Sequence, residues 1–235
     1  MVCLLFAMEK ECAGLLSKVE VRQKVSLGYT KVFEAVFEGV PFLIGISGIG
    51  KGFAAAAVAA IANRYPVDAF LNIGIAGSQD KTKADIFSVV IGSHYAEHDL
   101  DTSAIGDPVG LISGIDIVEL PSSPLCVSCL EKASNALRLP YVRGVISSGD
   151  TFIGDKEKKR KVTETFGSLC LDMESAPFAQ IAFVYGIPFA SARVISDCER
   201  PEIEYPQNAE KASQIASNLA LEAVRFFAES FSISV

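Results

Sequence analysis

The sequence lacks an apolar run long enough to cross a membrane. Half of its 235 residues are apolar and the mean hydropathy is +0.34. Nevertheless, Gly, Pro or a charged residue interrupts its apolar runs at about ten residues, where a membrane-spanning helix needs about 20. A Pro/Ser-rich linker and a charge block are also missing, so we predict one domain over residues 1–235. These absences predict a soluble chain with one large core.

A basic residue ahead of the first apolar segment is missing too. Residues 2–7 are apolar, as in a signal peptide, but Glu9, Lys10 and Glu11 follow at once, which favours a buried strand. The six cysteines lie mostly within apolar segments, and no secretion signal accompanies them. We therefore expect free thiols in a reducing compartment, the cytoplasm.

Basic residues are fewer than acidic residues. The 21 Lys and Arg residues face 28 Asp and Glu residues, so the net charge is −7. Such a surface repels phosphate backbones, and no basic patch carries interleaved aromatic residues. Nucleic acid is therefore not an expected partner.

Only two histidines are present, and they form the pattern His94-x-x-Glu97-His98. This pattern matches inverted zinc peptidases, but their chemistry requires a helix, and residues 94–98 extend an apolar strand. Cys126 and Cys129 have no second cysteine pair at zinc-ligand spacing and lie on an amphipathic helix. We therefore expect no metal site.

The glycine-rich segment from Ser47 to Lys51 reads Ser-Gly-Ile-Gly-Lys. Its spacing matches neither a P-loop nor a dinucleotide fingerprint, so no nucleotide cofactor is expected. Its glycines instead predict a strand-to-helix turn that approaches a ligand closely.

The order of predicted elements favours an α/β fold. Residues 20–38 alternate polar with apolar around Gly28, as an antiparallel hairpin does. Continuous apolar runs indicate strands buried on both faces. The predicted strands are 2–7, 42–46, 69–73, 86–93, 142–147, 168–172 and 188–195; the predicted helices are 50–63, 124–137 with Ser123 as N-cap, 174–185 and a C-terminal one whose apolar stripe comprises Ala212, Ile215, Ala216, Leu219, Ala223, Phe226 and Phe227. We predict a three-layer α/β/α architecture with a central, mixed, twisted β-sheet flanked by helices.

Acidic residues follow four of the predicted strands. They are Glu11, Asp150, Glu174 and Asp197, the first lying a few residues beyond its strand. Ligands of such sheets bind beyond the carboxyl ends of the strands, and crowded carboxylates acquire pKa values suited to acid and base roles. For any single one of them, capping of the following helix is an equally good interpretation.

At these same segments the chain resembles the methylthioadenosine/S-adenosylhomocysteine nucleosidases of the purine nucleoside phosphorylase superfamily. The resemblance spans nearly the whole chain, in order and at the family spacing. The matching segments are 7–11 (Ala-Met-Glu-Lys-Glu), 47–51, 72–77 (Asn-Ile-Gly-Ile-Ala-Gly), 142–153, 172–174 (Asp-Met-Glu) and 193–197 (Arg-Val-Ile-Ser-Asp).

The resemblance implies a cofactor-free nucleosidase acting on adenine nucleosides. It implies that Asp197 donates a proton to adenine N7, that Glu11 activates the attacking water and that Glu174 holds the ribose hydroxyls. Asp150 is left with a structural role. It further implies that Ser196 orients Asp197 and that Phe152 and the backbone of Ile153 contact the base. Met173 is expected to pack on the ribose, and Met8 and Ile49 to line the side of the 5′ substituent. Arg193 is expected to pair with Glu174 or another buried acid.

The chain departs from the family pattern at two places. Ile75 stands where the family usually has Ser, and the loop after His98 offers Thr102 and Ile105 in place of bulky apolar residues. The loop residues predict a larger or more polar 5′ pocket, whereas Ile75 removes a hydroxyl from the water and ribose side. The resemblance also implies a homodimer in which this loop completes the neighbouring site.

Three alternatives stay open at this point. A futalosine or aminodeoxyfutalosine hydrolase fits the altered 5′ pocket. A nucleoside phosphorylase of the same fold needs a cationic clamp for phosphate, but Glu11 occupies that loop. A catalytically silent nucleoside-binding module has no need to retain Glu11, Glu174 and Asp197 together.

Overall fold

A computed structural model describes the chain over residues 1–232, with side chains through residue 230. A ten-stranded mixed sheet forms its centre. The strands are β1 Val2–Phe6, β2 Glu20–Leu27, β3 Thr30–Phe37, β4 Val40–Ile46, β5 Ala69–Ser78, β6 Val89–Glu97, β7 Leu120–Pro121, β8 Tyr141–Ser148, β9 Ser168–Asp172 and β10 Phe189–Asp197. The helices are α1 Glu9–Leu16, α2 Lys51–Arg64, α3 Pro124–Ala136, α4 Lys156–Phe166, α5 Ser175–Val184 and α6 Pro201–Ser232, and a 3-10 turn is formed by Ser103–Ile105.

The sheet runs in the order β10-β6-β8-β9-β5-β1-β4-β3-β2. Strand β5 also pairs with β10, in parallel over eight residue pairs, so five of the strands close into a ring. Parallel pairs join β1 to β4 and β5, whereas β10 pairs with β6 and β5 with β9 in antiparallel fashion. The predicted mixed sheet is confirmed.

Helices cover both faces of the sheet. One core cluster packs α1, α3 and α6 against it, and a second packs α2 and α5 against the opposite face. The predicted apolar stripe of α6 is the reason why this helix docks: Ala212, Ala216, Leu219, Ala223 and Phe227 are buried in the first cluster. The three-layer prediction is confirmed.

The predicted hairpin is present. Strands β2 and β3 pair antiparallel, and Leu27 faces Thr30 across the turn. Gly28 has φ +63°, a conformation that glycine adopts without steric cost.

Two local predictions need correction. The strand predicted at 86–93 begins at Val89, because Ser88 closes a turn on Asp85 through its backbone N–H, and it continues to Glu97. Ser123 occupies the predicted N-cap position of α3, but its hydroxyl makes no capping hydrogen bond.

The six cysteines are all buried free thiols, as predicted. Among the described residues, no helix combines the length and the apolar character needed to cross a bilayer.

Candidate active site

A cavity of about 360 Å³ lies beyond the carboxyl ends of β1, β9 and β10. The residues that directly follow these strands come from distant parts of the sequence and lie together at this cavity. Nine of the eleven predicted site residues line it: Met8, Glu11, Ile49, Ile75, Phe152, Met173, Glu174, Ser196 and Asp197. The two exceptions, Ile153 and Arg193, lie close by and are described below.

Glu11 lies in the first turn of α1, which starts directly after β1. Its side chain is only 4% exposed, and its Oε2 accepts a hydrogen bond from the backbone N–H of Met8 at 3.0 Å. Burial raises the pKa of this carboxyl, although Arg193 and the backbone N–H groups oppose the shift. A carboxylate that is buried yet held by backbone donors is suited to accept a proton from water.

Glu174 follows β9 and precedes α5. Its Oε1 accepts a hydrogen bond from the backbone N–H of Gly50 at 2.9 Å. Burial and the neighbouring charge of Asp172 raise the pKa of Glu174 to about 7. Its ionised form therefore carries an unusually weakly solvated negative charge next to the cavity.

The turn that holds Glu174 requires glycine. Gly50 has φ +96°, and a Cβ atom there would lie 2.7 Å from Oδ1 of Asp150. This explains the Gly-Ile-Gly segment before α2: the turn approaches the site closely through backbone atoms, while Ile49 lines the cavity. The turn thus brings its backbone close to the Glu174 carboxylate.

Arg193 lies behind the cavity instead of lining it. It is 2% exposed, and its Nε donates to Oδ2 of Asp172 at 2.7 Å, while its Nη2 donates to Asn72 and Ser175. Of the two pairings considered for Arg193, the structure shows a buried acid, Asp172, and no direct bond to Glu174. A planar guanidinium suits this position because it satisfies several fixed acceptors at once.

Asp197 ends β10 and lines the same cavity as Glu11. Burial raises the pKa of this carboxyl, and Ser196 opposes the shift by donating a hydrogen bond from Oγ to Oδ1 at 2.8 Å. A Cβ atom at Gly77 would lie 2.6 Å from Oδ2 of Asp197, so the glycine leaves room for the carboxyl. A raised pKa keeps more of Asp197 in the protonated form that donates.

Phe152 and its neighbours form part of the cavity wall. A small adjoining cavity of about 40 Å³ contains Ile153 together with Asp197 and Phe152. The Phe152 ring is 65% exposed and meets the Tyr205 ring edge-on, with centroids 6.4 Å apart. An exposed ring that lines the same cavity as a buried carboxyl is suited to stack on a flat heterocycle.

Asp150 holds the loop that carries Phe152. Its Oδ1 accepts from the backbone N–H of Lys51 at 2.8 Å, and its own N–H donates to Asp99. The Lys51 ammonium bridges Glu97 and Asp99 at 2.9 and 2.7 Å. These contacts agree with a structural role for Asp150.

Seven of the residues that line the cavity were not predicted from the sequence as site residues, among them Lys10 and Tyr205. Tyr205 comes from the first turns of α6, and Lys10 comes from α1, where its ammonium lies 6.0 Å from the Tyr205 ring centre. Lys10 lies in a matching segment, but a lysine between two glutamates reads as a solvated charge. No sequence pattern predicts Tyr205 as a site residue, because nothing in the chain shows that α6 begins beside β10.

The residues of the two rejected metal-binding motifs do not line this cavity. His94 and Glu97 are in strand β6 and His98 follows it, as predicted. Cys126 and Cys129 are buried in α3. Within the described residues no group of three or more His, Cys, Asp or Glu side chains is placed to hold a metal ion.

The family model for the phosphorylase superfamily matches residues 2–225. The chain belongs to this superfamily. A 5′-methylthioadenosine/S-adenosylhomocysteine nucleosidase of Staphylococcus aureus is 30% identical to it over 230 residues, which cover 95% of this chain and 98% of the relative. The predicted family is confirmed, and with it the predicted enzyme class of nucleosidases.

Solved structures agree with this membership. A nucleosidase of the same description from Neisseria meningitidis, in complex with methylthio-immucillin-A, superposes with a TM-score of 0.90 at 28% identity, covering 95% of this chain and 98% of that one. A futalosine hydrolase of Helicobacter pylori superposes with a TM-score of 0.89 at 25% identity, covering 95% and 97%. Both similarities span the strands that surround the cavity.

Proposed function

We propose that this protein hydrolyses the N-glycosidic bond of adenine nucleosides, 5′-methylthioadenosine and S-adenosylhomocysteine, to free adenine and the ribose derivative. The observation that carries the proposal is the convergence of three buried carboxyl groups, Glu11, Glu174 and Asp197, around one cavity. The names of the relatives supply the substrates to be tested.

Asp197 acts as the general acid in this proposal. Departure of adenine as an anion is unfavourable, so a proton delivered to N7 assists cleavage of the bond. Burial raises the pKa of Asp197, and Ser196 holds one of its oxygens, which leaves Oδ2 for the proton. Phe152 stacks on the base, and the backbone of Ile153 contacts its edge.

Glu174 stabilises the sugar. As the bond to adenine breaks, positive charge develops on the ribose ring, and a weakly solvated carboxylate stabilises that charge strongly. The same oxygens accept hydrogen bonds from the ribose hydroxyls, and Met173 packs against the ring. The Gly50 N–H fixes the carboxylate before substrate binds.

Glu11 holds and activates water. Its Oε2 is engaged by the Met8 N–H, so Oε1 is the oxygen that accepts a proton from the attacking water. Transfer of this proton generates the nucleophile that adds to the anomeric carbon. Met8 and Ile49 line the side that receives the 5′ substituent.

Water is a better nucleophile than phosphate at this site. In the described part of the chain, Lys10 is the single cationic side chain lining the cavity, and it lies next to Glu11. A phosphate dianion needs a cationic clamp to offset its desolvation. The buried charge of Glu11 would instead repel it.

The second candidate is a futalosine or aminodeoxyfutalosine hydrolase. The similarity to the Helicobacter pylori futalosine hydrolase favours it, because that structure superposes almost as well as the nucleosidase structure. The altered loop after His98 changes the surroundings of the 5′ group, and Ile75, in place of Ser, removes a hydroxyl from the water and ribose side. A larger 5′ substituent is therefore included among the substrates to be tested.

A homodimer completes the proposal. Ile105 is 81% exposed and Tyr29 69% exposed, and Phe53 beside Tyr29 is also exposed, so apolar side chains project from the loop after His98 and from the turn beside α2. Thr102 bonds Asp107 within the same loop. We propose that the partner's copy of this loop covers the open 5′ side and that the protein works in the cytoplasm.

The test is a substrate panel in phosphate-free buffer. Methylthioadenosine, adenosylhomocysteine, aminodeoxyfutalosine and futalosine are compared by release of free base. Rapid release of adenine from the first two supports the primary proposal, and preference for the last two supports the second candidate. Binding of adenine without turnover of any of them indicates a silent binding module.

A further inference from the structure

One lysine lines the small cavity next to the candidate active site. Helix α4 carries five basic residues, of which four are exposed: Lys156, Lys158, Arg160 and Lys161. The fifth, Lys159, is partly buried and lines the cavity of about 40 Å³. A space of this volume is only a few ångströms across, so the residues that line it lie close to one another.

Lys159 shares this cavity with Asp197, Phe152 and Ile153, the three residues proposed to contact the base. Its positive charge acts on Asp197, because burial raises the pKa of the Asp197 carboxyl and Lys159 opposes the rise. Among the described residues, Lys159 has no ion-pair partner. Its ammonium is therefore available to a ligand that binds next to Asp197.

The second carboxylate that lines the small cavity, Asp172, is already engaged. Its Oδ2 accepts a hydrogen bond from Nε of Arg193 at 2.7 Å, and its Oδ1 accepts one from the Ser148 hydroxyl. Asp172 is thus neutralised by a buried guanidinium and has no need of a second cation. Lys159 therefore brings a positive charge to the base end of the site that the protein itself does not pair.

A cation beside Asp197 distinguishes purine bases by their 6 position. Adenine presents an acceptor, N7, and a donor, its 6-amino group, along one edge, whereas a 6-oxopurine presents two acceptors, N7 and O6. A lysine ammonium has three donors and no acceptor. With N7 directed at Asp197, the neighbouring O6 of a 6-oxopurine is matched to Lys159, and a 6-amino group is not.

Resting on the proposed function, we infer that Lys159 binds O6 of 6-oxopurine nucleosides, so that the protein cleaves hypoxanthine nucleosides in addition to adenine nucleosides. As the bond from the anomeric carbon to the base breaks, its electron pair moves onto the base, and in hypoxanthine part of this charge resides on O6. The Lys159 ammonium stabilises that charge while Asp197 delivers its proton to N7. Water adds to the anomeric carbon as it does with adenine nucleosides.

Two pairs of nucleosides isolate the base, because the members of each pair share one 5′ substituent. The pairs are futalosine with aminodeoxyfutalosine, and methylthioinosine with methylthioadenosine. In Lys159→Met, the ratio of kcat/KM for the 6-oxo member to kcat/KM for the 6-amino member should fall at least about fivefold in both pairs, since a hydrogen bond from a charged donor is lost. The substitution also changes the pKa of Asp197, but that change affects both bases and cancels in the ratio.

Lys158→Met is the matched control. Lys158 precedes Lys159 in α4 and is exposed, so its variant loses the same charge from the same helix without changing the lining of the small cavity. Because water and salt screen an exposed charge, both ratios should stay within about twofold of the wild-type values. An equal fall in the two variants would show that the charge of the helix, and not a bond to O6, sets the ratio, and would overturn the inference.

The outcomes separate this inference from the proposed function. If the wild-type protein releases neither adenine nor hypoxanthine, the proposed function is wrong. If it releases adenine and no hypoxanthine, or if Lys159→Met keeps both wild-type ratios, the inference alone is wrong. Release of hypoxanthine without adenine would contradict the primary proposal and the dual base specificity together. Release of both bases, with ratios that fall in Lys159→Met and not in Lys158→Met, is the expected result.

Discussion

The backbone N–H of Gly50 donates a hydrogen bond to the Glu174 carboxylate at 2.9 Å, although 124 residues separate the two. The next residue of the same turn, Lys51, donates its N–H to Asp150. The N-terminus of α2 therefore holds both the carboxylate proposed to stabilise the sugar and the loop proposed to bind the base. The favourable interaction of helix N-termini with negative charge strengthens both contacts.

Glu174→Gln separates activity from stability. The amide keeps an oxygen for the Gly50 N–H but removes the negative charge, so we expect kcat to fall at least about 100-fold. The pKa of Glu174 rises from 4.5 to about 7 on folding, so the folded state binds the extra proton and the fold loses stability as pH rises between these values. The variant avoids this loss, and its Tm at pH 8 should exceed that of the wild type by at least about 2 °C.

The matched comparison is the same substitution at pH 5, where the difference in Tm should nearly vanish. Glu119→Gln, at a partly exposed carboxyl, controls for loss of a charge. A variant that is less stable than the wild type at pH 8 would contradict the raised pKa of Glu174.

Asp197→Asn tests the general acid. Asparagine fills the same space and can still bond Ser196, but it has no carboxyl proton to deliver to N7. We expect kcat for methylthioadenosine to fall by about 1,000-fold, within the range for general acid catalysis. Calorimetry should show adenine binding within about fivefold of the wild type, since a hydrogen-bonding group remains. Equal losses of binding and turnover would indicate structural damage.

The pH profile of kcat/KM should be bell-shaped. Activity requires ionised Glu174, whose pKa is about 7, so the rate should fall as the pH drops below that value. It also requires protonated Asp197, so the rate should fall again as the pH rises through the raised pKa of that group. Initial rates in buffers of constant ionic strength measure both limbs. A profile that stays flat between pH 5 and 9 contradicts these assignments.

Lys51→Met should destabilise both the fold and the loop that carries Asp150 and Phe152. Its ammonium bridges Glu97, which is 6% exposed, and Asp99, which in turn holds the N–H of Asp150. Loss of the cation leaves Glu97 buried without a partner, at a cost of about 3 kcal/mol in the free energy of unfolding. We expect adenine affinity to fall about tenfold, since a loose loop must be ordered on binding.

The double variant Lys51→Met/Glu97→Gln distinguishes the two effects. It removes the unpaired charge, so stability measured by chemical denaturation should recover in large part. Adenine affinity should stay low, because Asp99 still has no cation to hold it. Recovery of both properties would show that Lys51 contributes only to stability.

Much of the architecture follows from local patterns in the chain. Continuous apolar runs identify the central strands, and the alternation around Gly28 identifies the hairpin. Carboxyl groups after strands were equally compatible with helix capping. Only the similarity of whole segments to a family distinguished Glu11, Glu174 and Asp197 from Asp150.

Long-range packing accounts for what could not be predicted. Tyr205 lines the cavity because α6 begins beside the end of β10, and no residue near it in the chain indicates this position. The sequence alone offers several acids as partners for Arg193. The register of β10 against β5 places its guanidinium next to Asp172 and Asn72. The cavity lined by α1 and α6 likewise exists because two helices about 200 residues apart in sequence pack together.

The most direct test of the central claim is turnover of methylthioadenosine in ¹⁸O-labelled water without phosphate. We predict release of one adenine per ribose derivative, with ¹⁸O at the anomeric carbon and a rate that added phosphate does not increase. Absence of adenine release, or a rate that depends on phosphate and yields a sugar phosphate, would contradict the account.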